Sequence, residues 1–176
     1  MFFQTIRPVV LIVVLASLAG CGGRKPEVTS DVPLYPGETA ELRVLINEYA
    51  DFYDVPRSLV HRVVQRESDY RPAARNGPYY GLMQILPETA QTMGFQGQPS
   101  DLLNAETNLR WSVKYLRGAW LLSYGDEPTA VGWYARGYYY EARDRCMLVE
   151  TGLRTREVLR SCREAESLGA PADATL

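Results

Sequence analysis

Apolar positions recur at intervals of three and four through most of this chain, the period of helices that each bury one face. Between Glu38 and Asp54, Leu42, Leu45, Ile46, Tyr49, Phe52 and Tyr53 form one such stripe and predict a first amphipathic helix. Asp54 is placed to cap a second helix, and Pro56 sits at an early position where no amide donor is needed. That helix is predicted to run to about Glu67, with Leu59, Val60, Val63 and Val64 inward and Arg57, His61, Arg62, Gln65 and Arg66 on the outer face. Asp69 to Tyr80, with Pro72, Asn76-Gly77 and Pro78, reads as an irregular loop forming one wall of a cleft. Pro87 opens a short helix to about Met93, and Gly94 to Ser100 is a loop. Ala105 to Tyr124 carries two stripes, one of Leu109, Val113, Leu116 and Trp120 and another of Trp111, Tyr115, Ala119 and Leu122, which predicts a central buried helix. Gly125 ends it, Pro128 starts another reaching Gly137, and a charged segment to Gly152 precedes a last helix from about Thr155 to Leu168. No strand alternation of useful length is present after the leader, so the predicted class is all-α.

One residue in this pattern breaks the rule that polar side chains face water. Glu67 lies three, four, seven and eight residues after Val64, Val63, Val60 and Leu59, and so extends the apolar stripe of its helix. A carboxylate aimed that way loses hydration, its pKa rises, and a carboxyl still protonated near neutral pH suits general acid catalysis. The single histidine, His61, points away from Glu67 and reads as a surface or satisfied side chain rather than a catalytic one.

The ends of the chain set the compartment. Arg7 precedes an apolar run, Val9 to Ala19, too short for the roughly 20 residues of a spanning helix but suited to a signal-peptide core. It closes on Leu18-Ala19-Gly20-Cys21, which resembles a bacterial lipobox and would make Cys21 the lipid-modified first residue of the mature chain. Gly22 stands where Asp would favour retention at the inner membrane, so the expectation is a periplasmic protein anchored to the outer membrane. The expected organisation is a leader over 1–20, a tether over 21–37 rich in Pro, Gly and charge, one domain over 38–168, and a frayed tail over 169–176. Net charge is −2 and no Lys/Arg block occurs, so the electrostatic footprint of nucleic-acid binding is missing. Cys146 and Cys162 remain as an even pair where disulfides are permitted, with two buried thiols as the rival reading. No metal site is expected, because His61 is far from both cysteines in sequence.

Four segments together form a more specific pattern: Glu67-Ser68 closing a helix, Gly81-Leu82-Met83-Gln84-Ile85 with Pro87-Glu88-Thr89-Ala90, Asn108-Leu109 with Tyr115-Leu116, and Ala130 to Gly137 containing Tyr134. In order and spacing they resemble the catalytic domain of the soluble-lytic-transglycosylase family, with its goose-type lysozyme-like α fold, over about Val55 to Tyr140. The resemblance implies that Glu67 is the catalytic acid, with Ser68 as its usual neighbour. It implies that Gly81, Leu82, Met83 and Gln84 bind substrate, Gln84 through hydrogen bonds to the glycan and Met83 by packing beside it, with a glycine letting backbone approach the ligand. Tyr134 matches the tyrosine of the family's Ala-Tyr-Asn motif, placed to hydrogen-bond the substrate or the carboxyl. Ala135 stands where the family has Asn, Trp133 where it has a small residue, and the downstream Gly-Pro-Gly turn is absent. Tyr79, Tyr80 and the run Tyr138-Tyr139-Tyr140 are candidate platforms for sugar rings, against the plainer reading that they pack the core or the surface.

Most glycosidases use two carboxylates. Asp69 projects to another side of the helix and Asp51 and Asp54 precede its start, so no second partner for Glu67 is apparent. The resemblance implies non-hydrolytic cleavage of peptidoglycan strands between N-acetylmuramic acid and N-acetylglucosamine, giving 1,6-anhydro ends without any cofactor. Two alternatives stay open at this point: a hydrolytic muramidase on the same fold, and a non-catalytic glycan-binding lipoprotein of an envelope machine.

Overall fold

The computed structural model describes residues 32–167. The leader, Cys21, residues 22–31 of the tether and the tail 169–176 lie outside them. Element order is α1 (Ala40–Phe52), α2 (Arg57–Ser68), a two-stranded hairpin of β1 (Arg75–Asn76) and β2 (Tyr79–Tyr80), α3 (Pro87–Thr92), a 3-10 helix (Pro99–Leu103), α4 (Ala105–Leu122), α5 (Glu127–Arg136), α6 (Tyr139–Asp144) and α7 (Arg160–Ser167). The described residues are thus mostly helical, and the class is all-α, as expected. Among them no helix is long and apolar enough to cross a membrane.

The two-stripe helix takes the centre. Asn104 caps α4 by accepting from the Thr107 amide at 3.0 Å, and Leu109, Val113, Leu116, Ala119 and Leu122 are then fully or almost fully buried against α1, α3 and α5. Removing a Leu or Val side chain from water stabilises by roughly 1.5–3 kcal/mol, so this helix anchors the core. Leu59, Val60, Val63 and Val64 of α2 join the same cluster, while Ile85, Ala90, Phe95 and Leu102 make a smaller one under the hairpin.

Four expectations are corrected. Asp54 does not cap α2; it adopts φ 53°, and Pro56 takes the cap position without a side-chain hydrogen bond. His61 is not on an outer face but 7% exposed, because α1 and the segment before it cover that side of α2. Its Nδ1 lies 3.0 Å from the Tyr70 hydroxyl and its Nε2 3.1 Å from Asn47 Oδ1, so it is a satisfied histidine, and burial holds its pKa below the usual value. Val32 to Gly37 is not free tether. Arg43 of α1 is buried, and its guanidinium donates to the carbonyls of Val32 (2.6 Å) and Pro33 (2.9 Å) and to both oxygens of buried Glu38. A buried guanidinium must find acceptors for its donors, and this stretch of backbone supplies them. Tyr35 adds a ring stacked on Tyr70 at 5.7 Å. The last helix begins at Arg160 rather than near Thr155, because the Glu157 side chain turns inward to accept from the Val149 amide at 2.9 Å.

The charged segment after α5 is more ordered than its composition suggested. It contains α6, and Leu148 and Leu153 pack into the main core. Cys146 and Cys162 are disulfide-bonded in the structure, with Cα atoms 5.3 Å apart.

Candidate active site

Glu67 is the next-to-last residue of α2, at a helix C-terminus where the exposed carbonyls disfavour a negative charge. Its side chain is 23% exposed and lines a cleft of about 530 Å³ between α2, the hairpin loop, α4 and α5. Burial pushes the carboxyl above its ordinary pKa, and the Arg66 guanidinium, with Nε 3.6 Å from Oε1, pulls the other way. Desolvation is the larger effect, since Arg66 is about half exposed and its charge is screened by water. No described residue donates a hydrogen bond to the Glu67 carboxyl. Among the described residues lining this cleft it is the only carboxylic acid.

The cleft floor is built by one buried amide. Asn108, fully buried on α4, donates from Nδ2 to the carbonyls of Tyr80 (2.8 Å) and Leu102 (2.9 Å) and accepts the Met83 amide on Oδ1 at 3.0 Å. The Gly81 turn is thereby pressed onto α4. Gly81 has φ 75°, and a Cβ there would fall on Asn108 Nδ2 and on the Leu102 carbonyl. The glycine therefore permits close approach to the protein's own backbone and amide.

The other predicted site residues divide. Gln84, Tyr134 and Tyr79 line the cleft together with Glu67. Gln84, at φ 49°, spends its amide donors on the carbonyls of Gly81 (2.8 Å) and Ala74 (3.1 Å), which leaves its carbonyl oxygen as the group able to meet a ligand. The Tyr134 hydroxyl donates to the Met83 carbonyl at 2.8 Å, so toward a ligand it can act only as an acceptor. Burial raises its pKa strongly, the Ser112 hydroxyl opposes this and the Glu67 charge adds to it; the phenol stays protonated. Leu82 and Met83 are fully buried, because the turn held by Asn108 directs their side chains into the core; no part of either side chain reaches the cleft. Ser68 is 2% exposed, with its hydroxyl on the Val64 carbonyl (3.3 Å) and under the Arg71 amide, so it finishes the helix instead of binding a ligand. Tyr80 packs against the smaller core beneath the Arg75 guanidinium, 4.7 Å from its ring. Tyr138 is 1% exposed, its ring filling the space left by Gly118 and its hydroxyl on the Tyr115 carbonyl at 2.7 Å; it is a core residue.

Several cleft residues were not singled out from sequence as site residues. Asn76, Thr89, Tyr115 and Arg136 all contribute to the walls. Tyr115, with its pKa pushed up to about 12 by burial, stacks on Tyr138 at 4.6 Å and turns its edge toward Tyr134. Ala135 and Gly137 are on the wall too, and Arg136 lies 3.8 Å above the Trp133 ring. The sequence places all four near the site, Asn76 in the loop read as a cleft wall and Thr89, Tyr115 and Arg136 within the family-like segments, but nothing in their spacing says that their side chains face the cleft. A second hollow of about 490 Å³ between α1 and α4 is lined by Tyr49, Phe52, Tyr53 and Trp111. It is more open to solvent and shares no residue with the cleft around Glu67. No cluster of metal-ligating side chains occurs among the described residues.

A helical lysozyme-like domain with one half-buried acid facing a polar cleft defines a class of glycan-cleaving proteins. The family model described as the transglycosylase SLT domain matches residues 44–144, more than half of the chain, and the chain belongs to that family. It is an enzyme of lytic-transglycosylase type whose substrate is peptidoglycan. No solved structure gives a significant match to the chain.

Proposed function

We propose that the chain cleaves the β-1,4 bond between N-acetylmuramic acid and N-acetylglucosamine without water, leaving 1,6-anhydromuramyl ends. The observation that carries this reading is the single carboxylic acid in the cleft. Glu67, its pKa raised by desolvation, gives its proton to the bridging oxygen as that bond breaks. With no second carboxylate among the described residues lining this cleft, the N-acetyl carbonyl of the muramic acid stabilises the anomeric carbon instead, the substrate-assisted route known for glycosidases lacking a protein nucleophile. Glu67, now a carboxylate, accepts the proton of the muramyl C6 hydroxyl as its oxygen closes on the anomeric carbon. Proton and bond counts balance: one proton leaves Glu67 and one returns, one C–O bond breaks and one forms. Gln84 Oε1 and the Tyr134 hydroxyl oxygen supply acceptors for sugar hydroxyl or amide donors near the acid.

Mass spectrometry of digested glycan strands tests this directly. Anhydro ends lack the elements of water that reducing ends carry, so exclusively reducing ends would replace this reading with a muramidase. Binding with no new ends would replace it with a glycan-binding protein, and wild-type rates in Glu67→Gln would remove Glu67 from the mechanism. The compartment follows from the leader: lipid on Cys21 would hold the domain at the periplasmic face of the outer membrane. Incorporation of labelled fatty acid, lost in Cys21→Ser, is the expected result.

A further inference from the structure

A separate hollow adjoins the cleft around Glu67. Thr89, Tyr115 and Gly137 also line a smaller hollow of about 280 Å³, whose remaining walls include Glu88, Tyr139, Leu153 and Arg154. The two hollows therefore abut, with Glu67 in one and Arg154 in the other. Leu153 and Arg154 lie past residue 144, where the family match ends, so a segment outside the shared pattern builds this extension.

That segment is fixed at several points. The Cys146–Cys162 bridge closes it, Leu148 and Leu153 anchor it in the core, the Arg154 amide donates to the Leu148 carbonyl at 3.1 Å, and Glu157, 3% exposed, holds the Val149 amide. Arg154 is thus presented from a braced loop. Its guanidinium sits 5.5 Å from the Tyr139 ring, and no described carboxylate lies within ion-pairing distance of it. Glu88, exposed in the first turn of α3 on another wall, has no described basic partner either. The two do not pair with each other.

An unpaired cation and an unpaired anion on separate walls, beside an aromatic ring, complement a ligand that carries both charges. A peptide with a free ammonium and terminal carboxylates is such a ligand. A glycan strand stripped of peptide keeps the lactyl carboxylates of its muramic acids but has no ammonium. We infer that the hollow around Arg154 and Glu88 is a subsite for the stem peptide of the glycan strand, and that it favours peptide-bearing over stripped strands. This rests on the reading that the cleft takes peptidoglycan, and it leaves the chemistry at Glu67 untouched.

The test measures binding in the full-length chain carrying Glu67→Gln, so that turnover does not enter. The probes are soluble glycan strands with their stem peptides and the same strands after the peptides have been removed by an amidase. Preference for peptide-bearing strands is expected in the Glu67→Gln chain. Adding Arg154→Glu should cut that preference roughly three- to fivefold, the size of one partly exposed charge contact. Glu88→Gln should cut it less, and Glu88→Arg combined with Arg154→Glu should restore part of it, which a merely structural role would not do. Arg154→Gln serves where the charge reversal impairs folding. Equal affinity for both strands, or equal weakening of both by Arg154→Glu, would overturn the subsite. Failure of the proposed reaction is separately visible, as a wild-type chain that binds with the expected preference yet makes no anhydro ends.

Discussion

Replacing Asn108 with alanine puts the cleft floor to a quantitative test. The amide makes three good hydrogen bonds inside the protein, and alanine removes all of them without a replacement. The Tyr80 carbonyl keeps a second donor, the Ile85 amide at 3.1 Å, and loses little. The Met83 amide and the Leu102 carbonyl are left without the side-chain partner that satisfied them, at about 1–3 kcal/mol each. The small cavity adds on the order of 1 kcal/mol, for a total of roughly 3–7 kcal/mol, a large part of the 5–15 kcal/mol by which domains are stable. Activity should fall further than stability explains, because the Met83 carbonyl that receives the Tyr134 hydroxyl rides on the same turn.

Urea denaturation at neutral pH with the disulfide intact measures the first quantity, through a shift of midpoint at constant slope. A loss under 1 kcal/mol would refute the reasoning, since it would mean that water or a shifted backbone satisfies the turn as well as Asn108 does. A double-mutant cycle sharpens the point. Gly81→Ala alone drives its Cβ into both Asn108 and the Leu102 carbonyl, whereas in the Asn108→Ala background one of those two obstacles is gone. The double variant should therefore cost at least about 1 kcal/mol less than the sum of the singles, and strict additivity would show that the two residues do not meet.

Other expectations are more briefly stated. Because burial raises the folded-state pKa of Glu67 above its unfolded value, the fold loses stability as pH rises through the carboxylate range toward that raised value; Glu67→Gln should be inactive, more stable than wild type at neutral pH, and level with it in acid, as read by thermal melts across pH. Tyr134→Phe keeps the ring but strips the buried Met83 carbonyl of its donor, so about 1–3 kcal/mol should be lost in denaturant titration. Reducing Cys146–Cys162, which closes a loop 16 residues apart in sequence, should cost about 3 kcal/mol on a chain-entropy basis, with faster hydrogen exchange concentrated between the two cysteines.

What could be read from the sequence and what could not divide along a physical line. Helix positions were legible because burial of one face imposes a period on neighbouring residues, and α1, α2, α4 and α5 fall within a few residues of their expected bounds. The environment of Glu67 was legible for the same reason: a carboxylate in register with Val60, Val63 and Val64 can only face the way they do. Long-range polar contacts leave no such trace. Asn108 sits among apolar residues of α4 with nothing in its spacing to say that Tyr80, Leu102 and Met83 converge on it. Arg43 likewise looks like a solvated residue of α1 until the carbonyls of Val32 and Pro33 fold back onto it, so the tether is shorter than its composition suggests. Against the single apolar stripe of its own helix His61 reads as outward-facing, whereas α2 is covered on a second side by α1.

The Gly81 to Gln84 stretch ties the cleft floor to the central helix, while Gln84 also faces the cleft. Gly81 makes room for Asn108, Met83 lends its backbone to Asn108 on one side and Tyr134 on the other, and Gln84 fastens the turn with its own amide. A cleft that holds a sugar polymer beside a desolvated acid must resist two pressures: water seeking the carboxyl, and the carboxyl's own tendency to seek water. Mobile side chains cannot resist either, but a turn tied to a buried asparagine on the central helix can. The cost of keeping Glu67 partly dry at the unfavourable end of α2 falls on the fold, and the internal hydrogen bonds of this turn are where the fold offsets it. Weakening the turn should accordingly let water reach the acid, lowering its pKa and shifting the alkaline limit of activity toward acid in Tyr134→Phe as well as in Asn108→Ala.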